Sequence, residues 1–274
     1  MSRWRPAALV AMSALSWGGI SRAAATELDC LMQPREIVTV SAPVEGVLDR
    51  VTVDRGDVVD KGAVLAVLES SLERNAVAIA RARASQDFNI KANQVRVDFG
   101  ARRFQRTDDM FRKNLVPLRE FDEAETAKIL AEYGLIEANE LKRLADLDLE
   151  RAEAALALRT VTSPVSAVVT ERLRHPGELA AKEHPIVRLA RLDPLRVEVF
   201  VPITLYGRVV VGQRAVVVPE PPLSRPLEAS VTAVDKVADA ASSTFGVRLE
   251  IRNPGNRIPG GLKCKVRLGD HAGR

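Results

Sequence analysis

Ser41-Ala-Pro-Val-Glu-Gly-Val-Leu48 and Thr162-Ser-Pro-Val-Ser-Ala-Val-Val169 are two copies of one segment, 121 positions apart. The same offset, without a gap, aligns Gly56 with Gly177, Lys61 with Lys182 and Leu65 with Ile186. A repeat this short cannot bury its apolar face alone, so we expect the copies to close on each other as one small β unit. The residues between them must then leave and return at one place, as a long antiparallel excursion.

Composition limits the function classes. The 274 residues can form one large domain or two to three small ones. The net charge of +4 is modest and diffuse, and the aromatic content is only 4%. Nucleic-acid binding calls for a concentrated basic face with interleaved aromatic residues. We therefore expect no nucleic-acid partner.

The first 25 residues have the layout of a secretory signal peptide. Arg3 and Arg5 precede a short apolar stretch from Ala7 to Ile20, and Ala23-Ala24-Ala25 offers small residues for cleavage. The stretch is shorter than a comfortable membrane span, although an uncleaved anchor is the alternative. We expect an exported chain with a cleaved signal.

Residues 72–113 and 119–159 read as two helical runs separated by Asn114-Leu-Val-Pro-Leu118. In the second run an apolar stripe at helical spacing contains Leu130, Tyr133, Leu141, Leu144, Ala145, Ala152 and Leu156. The first run has 10 basic and 5 acidic residues, and the second has 6 and 11. Antiparallel helices of opposite charge should pair in a coiled-coil hairpin, although any single charge can simply be solvated.

Short β-branched segments separated by Pro and Gly follow Leu192, and they predict a small antiparallel β-barrel. The segment carrying Cys30 would be its first strand and the one carrying Cys264 its last. Because an oxidising compartment favours pairing of the only two cysteines, we expect a disulfide between them. Two separate buried thiols are the alternative.

No catalytic constellation stands out. His175 and His184 each precede a proline, His271 lies in the tail, and none has the spacing of metal ligands. No phosphate-binding loop, dinucleotide glycine pattern or nucleophile elbow occurs. We expect no enzyme activity, no metal and no cofactor.

The repeat resembles the halves of a biotinyl/lipoyl carrier domain. The matching residues include Pro43, the four glycines Gly46, Gly56, Gly62 and Gly177, and Glu69-Ser70. Such carriers present a modified lysine just after the position of Glu69-Ser70, but no lysine occurs between Lys61 and Lys91. The resemblance therefore implies the carrier fold without the carrier function.

A split lipoyl domain, an inserted helical hairpin and a following barrel together resemble the periplasmic adaptors, the HlyD-like membrane fusion proteins of tripartite efflux systems. In the barrel the match includes Ser243-Thr-Phe245, Asn253-Pro254 and Pro259-Gly260. The expected fold is mixed α and β and elongated. Its boundaries are a signal peptide at 1–25, a barrel at 26–40 and 193–270, a lipoyl-like sandwich at 41–70 and 160–192, and a hairpin at 71–159.

By this resemblance the chain links an inner-membrane transporter of the resistance-nodulation-division (RND) type to an outer-membrane channel in the periplasm. It is expected to reach the inner membrane through the transporter, and to assemble with itself as a hexamer or trimer of dimers. No residues remain for a membrane-proximal domain, so we expect the barrel to contact the transporter. The alternatives are an adaptor of a type I or other secretion system and a lipoyl-type carrier.

The resemblance also identifies the hairpin tip as the channel-docking site. Family tips that engage the common channel carry Arg, Leu and Ser, and alignment through Glu120-Phe-Asp122 places Arg106, Met110 and Pro117 there. Proline replaces a hydroxyl donor with a ring that lacks even an N–H. The expected docking residues are Arg106, Met110, Asn114, Leu115, Pro117 and Leu118.

Overall fold

The structure is a computed structural model that describes residues 27–269. The predicted signal peptide lies outside these residues. In chain order the elements are β1 (Glu27–Gln33), β2 (Glu36–Ser41), β3 (Gly46–Val51), β4 (Val58–Val59), β5 (Val64–Leu68), α1 (Ser71–Ala84), α2 (Phe88–Arg112), α3 (Leu118–Ala157), β6 (Thr160–Thr162), β7 (Ala167–Arg172), β8 (Leu179–Ala180), β9 (Pro185–Arg191), β10 (Leu195–Pro202), β11 (Arg214–Pro219), β12 (Leu227–Asp239), β13 (Thr244–Ile251) and β14 (Leu262–Leu268). The predicted mixed α and β fold, with a split sandwich, a helical hairpin and a barrel, is confirmed.

The sandwich has two four-stranded sheets, in the orders β2-β9-β7-β4 and β6-β5-β3-β8. The repeat relates them, because adding 121 to the residue numbers of β3 and β4 gives those of β7 and β8. The pairing is exchanged between the halves: Val47 lies opposite Leu179 in β8, and its counterpart Val168 lies opposite Val58 in β4. Each half therefore supplies two strands to the other half's sheet: β2 and β4 from the first half, and β6 and β8 from the second.

The core of the sandwich is built from the same repeat. Leucine and β-branched residues at alternating positions point inward, since successive side chains of a strand face opposite sides. Six large ones are at most 1% exposed and form three repeat-related pairs: Leu48 with Val169, Leu65 with Ile186, and Leu68 with Leu189. The prediction that the two copies close on each other is confirmed.

The domain boundary differs from the expected one at β2. We expected residues 26–40 in the barrel, but β2 pairs with β9 of the sandwich, with Val38 opposite Leu189. Val40, only 8% exposed, packs into the sandwich core. Because Pro34 has no N–H to continue β1, the chain can leave the barrel there and start a new strand.

A second departure concerns the segment after β13. Asn253–Gly260, which we expected in the barrel, belongs to the compact unit that contains the sandwich. The Asn253 amide is 1% exposed and donates to the carbonyl oxygens of Leu192 and Ile258 at 3.1 and 2.8 Å. The Asn253 N–H donates to the Asp193 carboxylate at 2.9 Å. These bonds attach the segment to the sandwich unit.

The other unit is a closed barrel in the order β1-β10-β13-β12-β11-β14. Its interior is filled by alternate residues of the strands. Among them are Met32, Val197, Val217, Leu249 and Val266, none of which is more than 1% exposed. On the outer surface Lys265 donates to Asp29 directly across from it. This bond raises the pKa of Lys265.

The hairpin does not consist of two equal, continuous helices. Its second arm, α3, is continuous over 40 residues, whereas the first arm is interrupted at Ser85–Asp87. The spacing of the inward-facing residues of the first arm explains the interruption. The next inward-facing residue after Ala84 is Ile90, six positions later, whereas two turns of a coiled coil span about seven positions. The non-helical residues absorb the missing one.

Asp87 is the N-cap residue of α2, directly after the interruption. Its carboxylate pairs with Lys91 one turn later at 2.6 Å. The hydrogen bond from Lys91 lowers the pKa of Asp87. A carboxylate at this end of a helix is also favoured by the helix dipole.

Candidate functional site

The tip of the hairpin is closed by standard helix-ending chemistry. Asn114 adopts a left-handed φ of 58°, and its N–H donates to the Phe111 carbonyl at 2.8 Å. The Leu115 N–H donates to the Met110 carbonyl at 2.9 Å, which completes a Schellman motif. Pro117 then precedes α3, and its carbonyl accepts the Glu120 N–H at 3.0 Å. The turn is fixed by main-chain bonds, which leaves its side chains available.

Three phenylalanines hold the two arms together just behind the tip. The ring centroid of Phe121 lies 5.0 Å from that of Phe111 and 5.5 Å from that of Phe104. The Lys128 Nζ lies 5.2 Å from the centroid of Phe104, a cation–π distance. The sequence analysis missed this cluster, although the seven-residue spacing of Phe104 and Phe111 signals a shared helix face.

The predicted docking residues are gathered at this end, with one exception. Leu115 and Leu118 are 69% and 59% exposed, and Met110 is also exposed. Asn114 and Pro117 lie between them and are exposed as well. Arg106 lies six residues before the end of α2, about 9 Å back along the helix. The extreme tip therefore exposes Leu115, Pro117 and Leu118 next to the basic residues Arg112, Lys113 and Arg119, and Arg106 lies behind it.

Alanines alternate with longer residues on the inner face of α3. From Ala124 to Leu156, residues with reduced exposure recur every three or four positions: Ala124, Lys128, Ala131, Leu135, Ala138, Lys142, Ala145, Leu149, Ala152 and Leu156. On α2 a Cβ added at Gly100 would lie 3.3 Å from the Lys128 Cα, so the helices approach closely there. This spacing is the coiled-coil repeat, and it places the contact with α1 and α2.

Large apolar residues occupy the opposite face of α3. They are between 43% and 66% exposed: Ile129, Leu130, Tyr133, Ile136, Leu141, Leu144 and Leu147. Four of them, Leu130, Tyr133, Leu141 and Leu144, belong to the stripe that the sequence analysis identified. That stripe merged two faces, because Ala145, Ala152 and Leu156 lie on the inner one.

The first arm has a matching outer face. Its large apolar residues are between 56% and 76% exposed: Leu72, Ile79, Phe88, Val95 and Phe99. Arg102 and Arg106 continue the same three- and four-residue spacing toward the tip. Each arm of the hairpin is thus apolar on its inner and its outer face. A helix that is apolar on opposite faces is normally covered on both.

Residues 36–191, more than half of the chain, match the family model described as the CzcB-like barrel-sandwich hybrid domain. The chain belongs to the CzcB-like barrel-sandwich hybrid family. Its relatives include the nickel and cobalt resistance protein CnrB of Cupriavidus metallidurans, 26% identical over 85% of this chain and 54% of that protein. Another is the nickel-cobalt-cadmium resistance protein NccB of Alcaligenes xylosoxydans xylosoxydans, 24% identical over 77% of this chain and 50% of that protein. The chain spans about half the length of these curated relatives.

Solved structures show the same CzcB-like fold. MacA of Actinobacillus actinomycetemcomitans has a TM-score of 0.72 at 19% identity, over 90% of this chain and 79% of that one. The membrane fusion protein Spr0693 of Streptococcus pneumoniae R6 has a TM-score of 0.59 at 14% identity, over 90% and 100% of the two chains. The expected fold is confirmed by these structures, and the family that the sequence shows is the CzcB-like one.

The glycines of the CzcB-like sandwich have two different roles. Gly56, Gly62 and Gly177 have φ values of 95°, 88° and 88°, which side chains disfavour, so each permits its turn. Gly46 begins β3 without a left-handed φ. Its role is steric, since a Cβ there would lie 2.6 Å from Arg159 Nη1.

Among residues 27–269, no group of three or more His, Cys, Asp or Glu side chains is arranged to hold a metal ion. Within the same range no helix is long and apolar enough to cross a membrane.

The cysteines lie opposite each other on β1 and β14, with Cα atoms 4.9 Å apart and sulfur atoms within bonding distance. Both are buried. We predict that protein taken from the periplasm with its thiols blocked contains this single bridge, because the strands already hold the cysteines at a suitable separation. Mass measurement after blocking, with and without reduction, counts the thiols. Two free thiols before reduction would contradict the prediction.

Proposed function

We propose that the chain is a periplasmic adaptor that links an inner-membrane RND transporter to an outer-membrane efflux channel. In this proposal it is not an enzyme. It forms a ring with copies of itself and presents the hairpin tips to the channel. The observation that carries the proposal is the hairpin, with exposed apolar residues on the outer faces of both arms and two exposed leucines at the tip. Exposed apolar surface on this scale marks an interaction site.

Charge favours contact between different arms of neighbouring copies. Residues 72–113 have a net charge of +5 and residues 119–159 of −5. Contact of α3 with α3 would oppose like charges, whereas contact of α3 with α1 and α2 of the next copy opposes unlike ones. Such a head-to-tail contact is heterologous, and it closes into a ring when the rotation allows. The family's fold supports the same assembly.

The outer-face contact makes a prediction about self-association. Tyr133→Glu with Ile136→Glu should shift the protein toward monomer, because carboxylates would be desolvated against an apolar partner. Asn139→Glu adds the same kind of charge to the flank of α3 and serves as the control. Analytical ultracentrifugation at one concentration compares the three proteins. Unchanged self-association of the double variant would refute the proposed contact.

The carrier alternative has no support at the position of the modified lysine. The position of the modified lysine in carriers, just after Glu69-Ser70, is occupied here by Ser71-Leu72 at the start of α1. Nothing in the described chain favours a type I secretion adaptor over the RND type. The names of CnrB and NccB make nickel and cobalt the first cargo to test.

The proposal is tested by crosslinking intact cells, purifying through a C-terminal tag and identifying partners by mass spectrometry. Recovery of an RND transporter and an outer-membrane channel is the expected result. Recovery of the chain alone, under conditions that trap other envelope complexes, would overturn it. Nickel and cobalt tolerance of a deletion strain, with and without the restored chain, then tests the cargo.

A further inference from the structure

One arginine connects the base of the hairpin to the sandwich. Arg159 follows α3 and precedes β6, and its Nη1 donates to the Glu45 carbonyl at 3.1 Å. Its Nη2 donates to the Glu73 carboxylate of α1 at 2.5 Å. The side chains of Arg159 and Glu73 are only 23% and 18% exposed. A single guanidinium therefore joins both arms of the hairpin to the turn before β3.

The internal repeat provides a comparison for this contact. A Cβ at residue 46 would lie 2.6 Å from Arg159 Nη1, so any side chain there would displace the guanidinium from its position. In the second half the counterpart of Gly46 is Ala167, which is buried, and the counterpart of Arg159 is Val38. A glycine is thus found only in the half where the arginine is present. The second half of the repeat therefore has no counterpart of this contact.

The other ion pair between the two arms near the base differs in kind. Arg81 pairs with Glu153 at 2.6 Å, but their side chains are 65% and 48% exposed. Exposed pairs of this type contribute little, because water and salt screen them. The planar guanidinium of Arg159 instead makes two bonds in fixed directions, and removing it leaves a partly buried carboxylate unpaired.

A second contact orders the same junction. The Ser71 N–H at the start of α1 donates to the Glu69 carboxylate at 2.8 Å. The hydrogen bonds from Ser71 lower the pKa of Glu69. The Glu69 N–H donates to the Val47 carbonyl of β3 at 2.8 Å. The entry to α1 is thereby tied to β3, next to the turn that Arg159 reaches from the exit of α3.

We propose that Arg159 is a positioning residue that fixes the direction in which the hairpin leaves the sandwich. The long arm makes this direction consequential, since a rotation of about 10° at the base moves a tip about 60 Å away by about 10 Å. The effect on export rests on the proposed adaptor function, whereas the effect on the direction of the hairpin does not.

Spin labels measure the direction without reference to export. Lys61→Cys in the sandwich and Glu137→Cys on the uninterrupted α3 are both exposed sites. Pulsed electron paramagnetic resonance on labelled mature protein, diluted with unlabelled protein to suppress distances between copies, reports their separation. We expect one narrow distance in the parent. Arg159→Gln and Gly46→Ala should each replace it with a broad or shifted distribution, and the control Arg81→Gln should not.

An unchanged distribution in both Arg159→Gln and Gly46→Ala would overturn the proposal. Glu73→Gln, which keeps the guanidinium on the Glu45 carbonyl, provides a further test if Arg159→Gln is poorly produced, and it should show a smaller broadening. Export by the same variants is then compared at equal protein level. A broadened distribution with full export would refute a role in docking and leave the adaptor function intact. Export that does not depend on the chain at all would refute the adaptor function alone.

Discussion

Cells whose only copy of the chain carries Leu115→Asp and Leu118→Asp are expected to lose export. The two leucines are 69% and 59% exposed at the tip, so the folded protein has no need of them for its own core. Docking against an apolar partner surface would desolvate both new carboxylates without compensation, and each uncompensated group costs several kcal/mol. The loss should exceed that from any single exposed substitution elsewhere on the hairpin.

The measurement is efflux, or resistance to the exported compound, at matched protein levels. Leu115→Met retains an apolar side chain at the same place and should preserve export. Calorimetry of the purified double variant should give the thermal midpoint of the parent, because surface substitutions change stability by about 0.5 kcal/mol or less. Normal export by a normally produced double variant would show that the tip is not the docking site.

The largest losses of stability are expected for the repeat-related leucines Leu68 and Leu189. Both are fully buried in the sandwich core. Leu68→Ala and Leu189→Ala should each destabilise the protein by about 2–5 kcal/mol, from lost burial and the cavity left behind. That is a large share of the 5–15 kcal/mol typical of a native domain.

Because the two leucines occupy equivalent positions in the repeat, their losses should also be similar in size. Differential scanning calorimetry is the suitable measurement. Tryptophan fluorescence would not report unfolding of the mature protein, since the only two tryptophans, Trp4 and Trp17, lie within the expected signal peptide. Leu179→Ala, at a 47% exposed position of the same sandwich, is the control and should have little effect. A tolerated change at one leucine alone would contradict the equivalence of the halves.

The repeat made the sandwich predictable from sequence. Its offset is constant because both copies form the same strands around one core, so Pro43 with Pro164 and Leu65 with Ile186 keep their spacing. The exchange of β2, β4, β6 and β8 between the sheets could not be read from it. Both a closed half and an exchanged one satisfy the same alternation of buried and exposed residues.

The hairpin was predictable in extent but not in packing. Large residues such as Tyr133 and Leu144 attract attention as a core face, yet the structure buries Ala124 and Ala138 instead. Helices that approach closely enough for Gly100 to face a neighbouring backbone need small residues between them. The interruption after Ala84 was not predicted, although Asp87 is of a residue type that favours the start of a helix.

The exchanged strands have a consequence for the order in which the chain acquires its structure. Leu48 and Leu68 cannot be covered until β7 to β9 have been synthesised and delivered, so the first half of the sandwich must wait for the second. The contacts between the arms near the tip join residues close in sequence, and such local contacts form early. Once the arms have paired, Leu68 and Thr160 are neighbours. Most of the entropy cost of closing the chain between them has then already been incurred. Pairing of the hairpin arms thus brings the two halves of the sandwich together.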